Sequence, residues 1–506
     1  MLAFILSSII GLLRQILVAN AFGTQSDIEA FNAANRVSET IFNLIAGGAL
    51  ASAFIPTFTG LLTQNQRNDA WRLASAIFNL ILLIVSLAAL IAAFLAPQIV
   101  RYVLAPGFAA DPAKESLAVT LLQVMLPSAV IFAVSGLVMG ILNSHRVFFI
   151  PALAPSMYQI GMIIGVLVLS PRYGIYGLAW GVLIGAGLHL ALQVPVLVGL
   201  RGRYFPELGW ENSNVREVGR LMLPRLLGAA AVQLNFWVNT RLASQQAEGS
   251  VTGIVIAFAL MLMPQAAIAQ SIAIAAMPTF SAQVALGHMA EMRSSLAASL
   301  RGVLLLAIPA SLGLMLLRTP LTSMLYQRGQ FDDRSTELVA WALLWFAAGL
   351  VGHSVVEIVS RAFYSMHDTK TPVFLGIGAM GLNIIFSLVF TGVFDRIGWL
   401  PHGGLALANS LATALEMFAL LFVIRRRLHG LESRSLLIAS LQAFIATLLM
   451  SLALWGWLSL SAEKPAWQVV AGGILIGGMV YIISGWILRI REIRAVLREL
   501  SSRLAK

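Results

Sequence analysis

Arg14 stands about twelve residues into the apolar run 2–21, too deep to snorkel easily to the cytoplasmic side. Glu29, Arg36 and Glu39 enter the next run, 29–60, and Arg225 and Arg241 lie in a later one, 217–245. An ionisable side chain inside a membrane-spanning segment is costly and faces a bundle interior or a wet cavity. The arginine guanidinium is a planar fork of donors suited to phosphate. As a set, Arg14, Arg36, Arg225 and Arg241 point to a cationic cavity between two lobes that binds an anionic head group. The competing reading is ion pairing within a tight bundle: Arg36 and Glu39 are three apart on one helix and can pair with each other. Glu357 and Arg361 close a later run near the cytoplasmic face.

Other chemistry is scarce. There is no P-loop, no HExxH, no GxSxG and no Asp-rich loop for a metal–diphosphate site, so no enzyme is expected. The seven histidines are scattered without ligand spacing and read as interfacial or packed side chains. With no cysteine, disulfides, thiolate metal sites and a Cys nucleophile are excluded.

The elements that must position these groups are helices in a membrane. The 506 residues are 59% hydrophobic and 11% charged, with mean hydropathy +0.86. Soluble domains carry about 25% charged residues, and about 20 apolar residues of helix cross a hydrocarbon core. A net charge of +11 invites a nucleic-acid reading, but the basic residues lie in short loops and no soluble domain could use them. No cationic region precedes a small-residue cleavage site, so no removable signal peptide is expected; the first span opens abruptly at Leu2, which suggests a start further upstream.

Apolar runs between polar breaks predict about fourteen transmembrane helices, from 2–21 to 467–488. Several carry prolines, among them Pro56, Pro127, Pro155 and Pro264, which neighbouring helices can accommodate. Basic residues concentrate in the loops after even-numbered spans and in the C-terminal tail, which places both termini in the cytoplasm. Trp210, Trp399, Trp467 and Trp486 read as interfacial anchors, and the tail after Trp486 as a basic membrane-surface helix or a solvated charged face. An internal repeat supports the count. Ala-Phe-Ile-Pro56-Thr57-Phe58 returns as Ala-Ala-Met-Pro278-Thr279-Phe280, about 220 residues on, and Gly140-Ile-Leu-Asn143-Ser144 corresponds to Arg361-Ala-Phe-Tyr364-Ser365. Parallel repeats are a standard build of secondary transporters. The expected architecture is an all-α polytopic membrane protein: a lobe of helices 1–6 over 1–205, a parallel six-helix lobe over 206–428, and a terminal helix pair with a basic tail over 429–506.

The chain resembles the MurJ/MviN family of lipid II flippases, in the multidrug/oligosaccharidyl-lipid/polysaccharide exporter superfamily. The resemblance rests on Gly11-Leu-Leu-Arg14, Phe22-Gly23, Glu29-Ala30-Phe31, Ala53-Phe54-Ile55-Pro56 and Ala105-Pro106-Gly107-Phe108. It continues with Ile150-Pro151-Ala-Leu-Ala-Pro155, Arg361-Ala-Phe-Tyr364 and Asp368-Thr-Lys-Thr-Pro372. It implies fourteen helices, two lobes, and alternating access that carries undecaprenyl-diphosphate-linked peptidoglycan precursor from the inner to the outer leaflet of the cytoplasmic membrane. The implied partners are that anionic lipid-linked substrate, membrane lipids and proteins of cell-wall synthesis. No cofactor is implied, and coupling is to membrane potential or to a monovalent ion.

Carried over residue by residue, Arg14 matches a family arginine, Glu29 the place of an acidic residue, and Arg36 that of a basic one. With Arg225 and Arg241 these are the substrate-binding candidates. An acidic cation-site position is Asn239 here, with Asn383 and Asn409 as polar partners. Elsewhere the chain departs from the family. Ser8 replaces an arginine, Ser38-Glu39-Thr40-Ile41-Phe42-Asn43 replaces Pro-Asn-x-x-Arg-Arg, Gly47 replaces a glutamate, and Phe258-Ala259-Leu260-Met261-Leu262 replaces Asp-Arg-Leu-Met-Glu. Besides a lipid II flippase, these departures leave open a paralogous exporter of another lipid-linked saccharide or amphiphile, or a non-transporting scaffold.

Overall fold

A backbone that crosses hydrocarbon must satisfy its own N–H and C=O groups, and a helix does so within one segment. The computed structural model describes residues 2–45 and 49–494, and among them all regular structure is helical. Gly47 and the basic tail beyond Arg494 lie outside the described residues, as does the side chain of Arg225. The chain divides into two compact units, Met1–Thr252 with Arg328–Asp332, and Gly253–Gln327 with Asp333–Lys506.

The first unit runs through α1 (Leu2–Phe22), α2 (Ser26–Ile45), α3 (Ala49–Thr63), α4 (Arg67–Phe94), α5 (Pro112–Ser144), α6 (Phe149–Ile164), α7 (Ile175–Ala191) and α8 (Ser213–Ser244). The later helices are α9 (Ser250–Gln265), α10 (Ser271–Ala285), α11 (Met289–Tyr326), α12 (Asp333–Ala348), α13 (Leu350–Ser365), α14 (Lys370–Arg396), α15 (His402–Arg427), α16 (Ser433–Leu460) and α17 (Ala466–Ile487). Helix α8, which opens the second six-helix lobe in the sequence-based division, makes its contacts in the first unit, on α2 and α3.

Among the described residues ten helices are long and apolar enough to cross a membrane, or eleven if α12 and α13 count as one bent span. The expected fourteen are not reached by that measure. Helices α2 and α8 fall short because they carry the polar residues, while Leu6–Phe22 and Ala53–Thr63 are apolar but short. The expected run 335–364 bends by 46° between α12 and α13. Gly349 sits at that break, where a Cβ would lie 2.5 Å from Ser410 Oγ, and Ser410 donates to the Trp345 carbonyl at 2.6 Å. A hydroxyl inserted beside the helix ladder is a recognised cause of such a kink.

The internal repeat extends to the backbone. Phe58 is buried with Phe54, Trp71 and Ile141, and Phe280 is buried with Met292, Leu296 and Phe363. After α3 the Gln66 N–H closes on the Leu61 carbonyl with Asn65 at φ 59°; after α10 the His288 N–H closes on Gln283 with Gly287 at φ 72°. After α5 Val147 closes on Leu142 with Arg146 at φ 61°, and after α13 Asp368 closes on Phe363 with His367 at φ 59°. Each is a Schellman cap, in which a left-handed residue ends the helix and satisfies its last carbonyls.

Two local devices hold the elements that matter below. Helices α6 and α7 meet through glycines: a Cβ on Gly161 would lie 2.2 Å from Gly185 Cα, and one on Gly185 would lie 2.6 Å from the Tyr158 carbonyl oxygen. Small residues let helix backbones approach this closely in a membrane. In the second unit Asp368 Oδ1 accepts the Lys370 and Thr371 N–H groups at 3.0 Å, and its Oδ2 lies 2.6 Å from Arg427 Nη2. Burial alone would raise this carboxyl, but the Thr371 hydroxyl and N–H, with Arg427 and the Lys370 N–H, outweigh it and hold it below the ordinary carboxylate value.

Gly161→Ala and Gly185→Val should each destabilise the detergent-purified protein by about 1–3 kcal/mol, read as a lower midpoint in thermal unfolding; unchanged midpoints would contradict the close packing. A carboxyl held low in the fold stabilises it above the unfolded value of about 3.9 and loses that contribution as pH falls through the lower folded value. The stability gap between wild type and Asp368→Asn should therefore be largest near neutral pH and close below about pH 4. A gap that widens on acidification would contradict this sign.

Candidate functional site

Helix α2 is, with α8, the least apolar of the helices of the first unit, and its polar face needs somewhere to go. It packs on α5 and α8, and Asn35, Ser38, Glu39 and Asn43 line a cavity of about 310 Å³. Arg14 enters the cavity from α1, Tyr158 and Gln159 from α6, and His189 from α7, with Phe42 and Phe132 as aromatic walls. The glycine contact between α6 and α7 sets the approach of the Tyr158–Gln159 turn to the helix bearing His189. Two larger cavities lie in the second unit. One, of about 590 Å³, is lined by Arg318, Asp333, Glu337 and Lys464, and the other, of about 720 Å³, is almost wholly apolar with Arg425 among its lining residues. Neither contains a residue singled out from the sequence.

The charges of the first cavity are unequally provided for. Glu39 Oε2 pairs with Arg36 Nη1 at 3.0 Å, and its Oε1 accepts from Asn35 Nδ2 at 2.9 Å. The Arg36 guanidinium stacks over the Phe236 ring, 5.3 Å from its centroid. Arg14 has no carboxylate partner among the described residues: Nη1 lies 3.2 Å from the Met162 thioether, and Nε is buried without a hydrogen bond. A thioether is a weak acceptor, so Arg14 is a half-buried cation with donors to spare. That is the arrangement expected of a group that waits for an anionic or strongly accepting ligand.

The remaining sequence candidates lie elsewhere. Glu29 is 2% exposed; its Oε2 lies 2.6 Å from Lys114 Nζ and its Oε1 accepts the Val251 N–H at 2.8 Å, at the first turn of α9. Carboxylates are favoured at helix N-termini, and Glu29 is committed to that cap and to Lys114 rather than to the cavity wall. Arg241, near the end of α8, donates to the Tyr102 carbonyl. The Arg225 side chain lies outside the described residues. Asn239 donates to Asn235 at 3.1 Å within α8, in the first unit. Asn383 accepts from Ser387 within α14, and Asn409 bonds His353 Nε2 at 3.0 Å, both in the second unit. Among the described residues no group of three or more His, Asp or Glu could hold a metal ion.

Several polar groups at the site escape a reading of sequence alone. Gln159, Tyr158 and the buried His189–Ser135–Gln193 set are neutral side chains in apolar runs, with no charge to mark them. Lys114 reads as a loop cation until Glu29 is seen beside it. Glu416, midway along α15, could have been found as an acid in an apolar run; Gly376 of α14 faces it, with space for a Cβ only 3.3 Å from Oε1.

A family model described as the lipid II flippase MurJ matches residues 18–476. The lipid II flippase MurJ of Burkholderia cenocepacia is 29% identical over 433 residues, 84% of this chain and 82% of that protein. A probable lipid II flippase MurJ of Vibrio cholerae is 30% identical over 437 residues, 84% of this chain and 81% of that one. A solved structure of the lipid II flippase MurJ in an inward closed conformation superposes with a TM-score of 0.82 at 24% identity, over 96% of this chain and 97% of the other. An inward-facing multidrug transporter of the MATE family shares the fold at a TM-score of 0.71 and 15% identity, over 84% of this chain and 96% of that one.

Removing one partner of a buried ion pair strands the other and costs about 3–5 kcal/mol. Lys114 is 10% exposed at its side chain and also sits 4.4 Å above the Phe108 ring. Glu29→Gln should lower the unfolding midpoint sharply, and the double variant Glu29→Gln/Lys114→Met should recover part of the loss. A Glu29→Gln protein as stable as wild type would remove the structural role of this pair.

Proposed function

The chain belongs to the MurJ family of lipid II flippases, and from that membership we propose that it moves the undecaprenyl-diphosphate-linked peptidoglycan precursor from the inner to the outer leaflet of the cytoplasmic membrane by alternating access. The observation that carries the reading to particular residues is Arg14, a half-buried arginine whose Nε is buried without a partner and which opens on a polar cavity. Its planar fork suits a diphosphate oxygen pair. Arg36 stands about one turn along α2 from the cavity residue Glu39, and its Nε is likewise buried and unpartnered. Both groups can meet an anion without first breaking more than one ion pair.

The chain acts in this reading as a carrier and not as a catalyst, since no bond of the substrate needs to break for it to change leaflet. No resident cofactor is needed. The driving force is membrane potential or a monovalent ion, and proteins of cell-wall synthesis are the natural neighbours of such a carrier. Both termini face the cytoplasm in this topology, which follows from the distribution of arginine among the loops.

In cells depleted of their own peptidoglycan-precursor flippase, the wild-type chain should restore growth and Arg14→Ala should not, at equal amounts in the membrane. Arg14→Lys, which keeps the charge but loses the fork, should rescue partially. Failure of the well-expressed wild type to rescue would sink the lipid II reading; full rescue by Arg14→Ala would remove Arg14 from it.

A further inference from the structure

One wall of the first unit's cavity is built from neutral groups that the diphosphate reading leaves unused. His189 is 1% exposed, and Ser135 and Gln193 are wholly buried beside it. His189 Nδ1 lies 2.6 Å from Ser135 Oγ and 3.4 Å from Gln193 Nε2. Gln193 Nε2 is also 2.7 Å from Ser135 Oγ and 3.0 Å from the His189 carbonyl oxygen. An amide nitrogen only donates, so Gln193 Nε2, which donates to Ser135 Oγ and also faces Nδ1 at 3.4 Å, makes Nδ1 an acceptor, and the Ser135 hydrogen donates to it. The network thereby assigns Nδ1 as an acceptor, and the proton of the neutral imidazole sits on Nε2. Phe132 and Phe42 hold the ring edge to face, with centroids at 5.6 and 6.3 Å.

Nε2 has no partner among the described residues, and His189 lines the cavity. Arg14 Nε and Gln159 Oε1 are buried, unpartnered and belong to lining residues of the same cavity. Two unspent donors and one unspent acceptor therefore border one space, with Phe42 and Phe132, packed edge to face at 4.7 Å, as its aromatic wall. A second anionic group is a poor match, because Arg14 is the one cation among the described lining residues and the carboxylate of Glu39, already paired with Arg36, lies on the same wall. The space of about 310 Å³ is at the small end of ligand sites, which span about 300–1,000 Å³. It is too small for a complete diphosphate-linked saccharide and fits one substituted ring edge.

An acetamido group supplies what is missing: a carbonyl oxygen with two lone pairs, one N–H, and a methyl group for the aromatic walls. We propose that this cavity receives the acetamido group of an aminosugar in the transported saccharide. Its carbonyl accepts from His189 Nε2–H and its N–H donates to Gln159 Oε1, which leaves the Arg14 fork to the diphosphate. The assignment rests on the reading of the chain as a carrier of a lipid-linked saccharide, and the two can fail separately.

The test uses full-length protein in detergent. Native mass spectrometry measures binding of lipid II and of undecaprenyl diphosphate, which has no sugar, and saturation-transfer NMR measures N-acetylglucosamine against glucosamine and glucose. Two variants are compared with wild type, with folding checked by thermal unfolding. His189→Asn keeps an amide near the Nδ1 position for Ser135 but loses the Nε2 donor, and Gln159→Leu loses the acceptor at nearly constant shape. Each should weaken lipid II on the order of tenfold, the worth of one good hydrogen bond, and leave undecaprenyl diphosphate unchanged. If His189→Asn does not fold, Gln159→Leu decides. Equal losses for both lipids, no loss for either, or glucosamine or glucose binding as well as N-acetylglucosamine would overturn the proposal. Binding of N-acetylglucosamine that the variants weaken, without lipid II binding, would uphold the pocket and refute the lipid II reading. Lipid II binding that neither variant changes would do the reverse, and binding of neither would overturn both.

Discussion

A half-buried guanidinium on an apolar helix, with a thioether as its hydrogen-bond acceptor, is the constraint around which the first unit is arranged. Arg14 brings a guanidinium into the apolar part of α1, where a charge is costly. What surrounds it is a set of concessions to that charge. Helix α2 is polar along one face although it lies among apolar helices, and it satisfies that polarity inward: Glu39 on Arg36 and Asn35, Thr40 under the Trp237 indole at 2.7 Å. The glycines of α6 and α7 let two backbones meet so that Gln159 and His189 come to one cavity. Neither arrangement would be stable facing lipid, where an unpartnered polar group has nothing to bond.

The two units reuse backbone devices and differ in chemistry. The left-handed caps at Asn65 and Gly287, and again at Arg146 and His367, end equivalent helices at equivalent points. Phe58 and Phe280 fill equivalent cores. Even the tie from the start of α4, where Arg67 reaches the Leu200 carbonyl, has a counterpart in Arg293 of α11 reaching the carbonyl of His429. The buried polar sets are not copied. The first unit has Arg14 with His189, Ser135 and Gln193, whereas the second has Asn383 with Ser387 and His353 with Asn409. Caps and cores depend on local backbone geometry and volume, so a repeat preserves them; polar sets depend on what a cavity must hold.

That division explains what could be read from the chain and what could not. Helical membrane architecture, the repeat, the depth of Arg14 and the Arg36–Glu39 pair are written in hydropathy and spacing along one helix. The bend at Gly349 is not, because it depends on Ser410, which approaches from another helix. The partners of Glu29 are not legible either: Lys114 reads as a loop cation, and the Val251 N–H is an orphan donor at the head of α9. His189 and Gln159 carry no charge, so nothing in an apolar run tells which of its polar residues turns inward. Length and hydropathy alone pick out ten or eleven spans among the described residues because α2 and α8, the helices nearest the chemistry, are the ones least like a lipid-facing helix.

The departures from the family pattern acquire a physical meaning at the same place. Ser38, Glu39, Phe42 and Asn43, which stand where the family usually carries a motif with two arginines, line the Arg14 cavity. The wall is therefore close to neutral, with Glu39 shared between Arg36 and Asn35 and Arg14 left as the cation without a carboxylate. A wall with two more arginines would bind anions by charge from any direction; a nearly neutral one must discriminate by the geometry of donors and acceptors. Directional hydrogen bonds in a small aromatic-walled space cost more when mismatched than an exposed charge does, because each unpaired group stays desolvated. On this account the frame keeps the family's fold while the cavity gives up cationic attraction in favour of a closer fit.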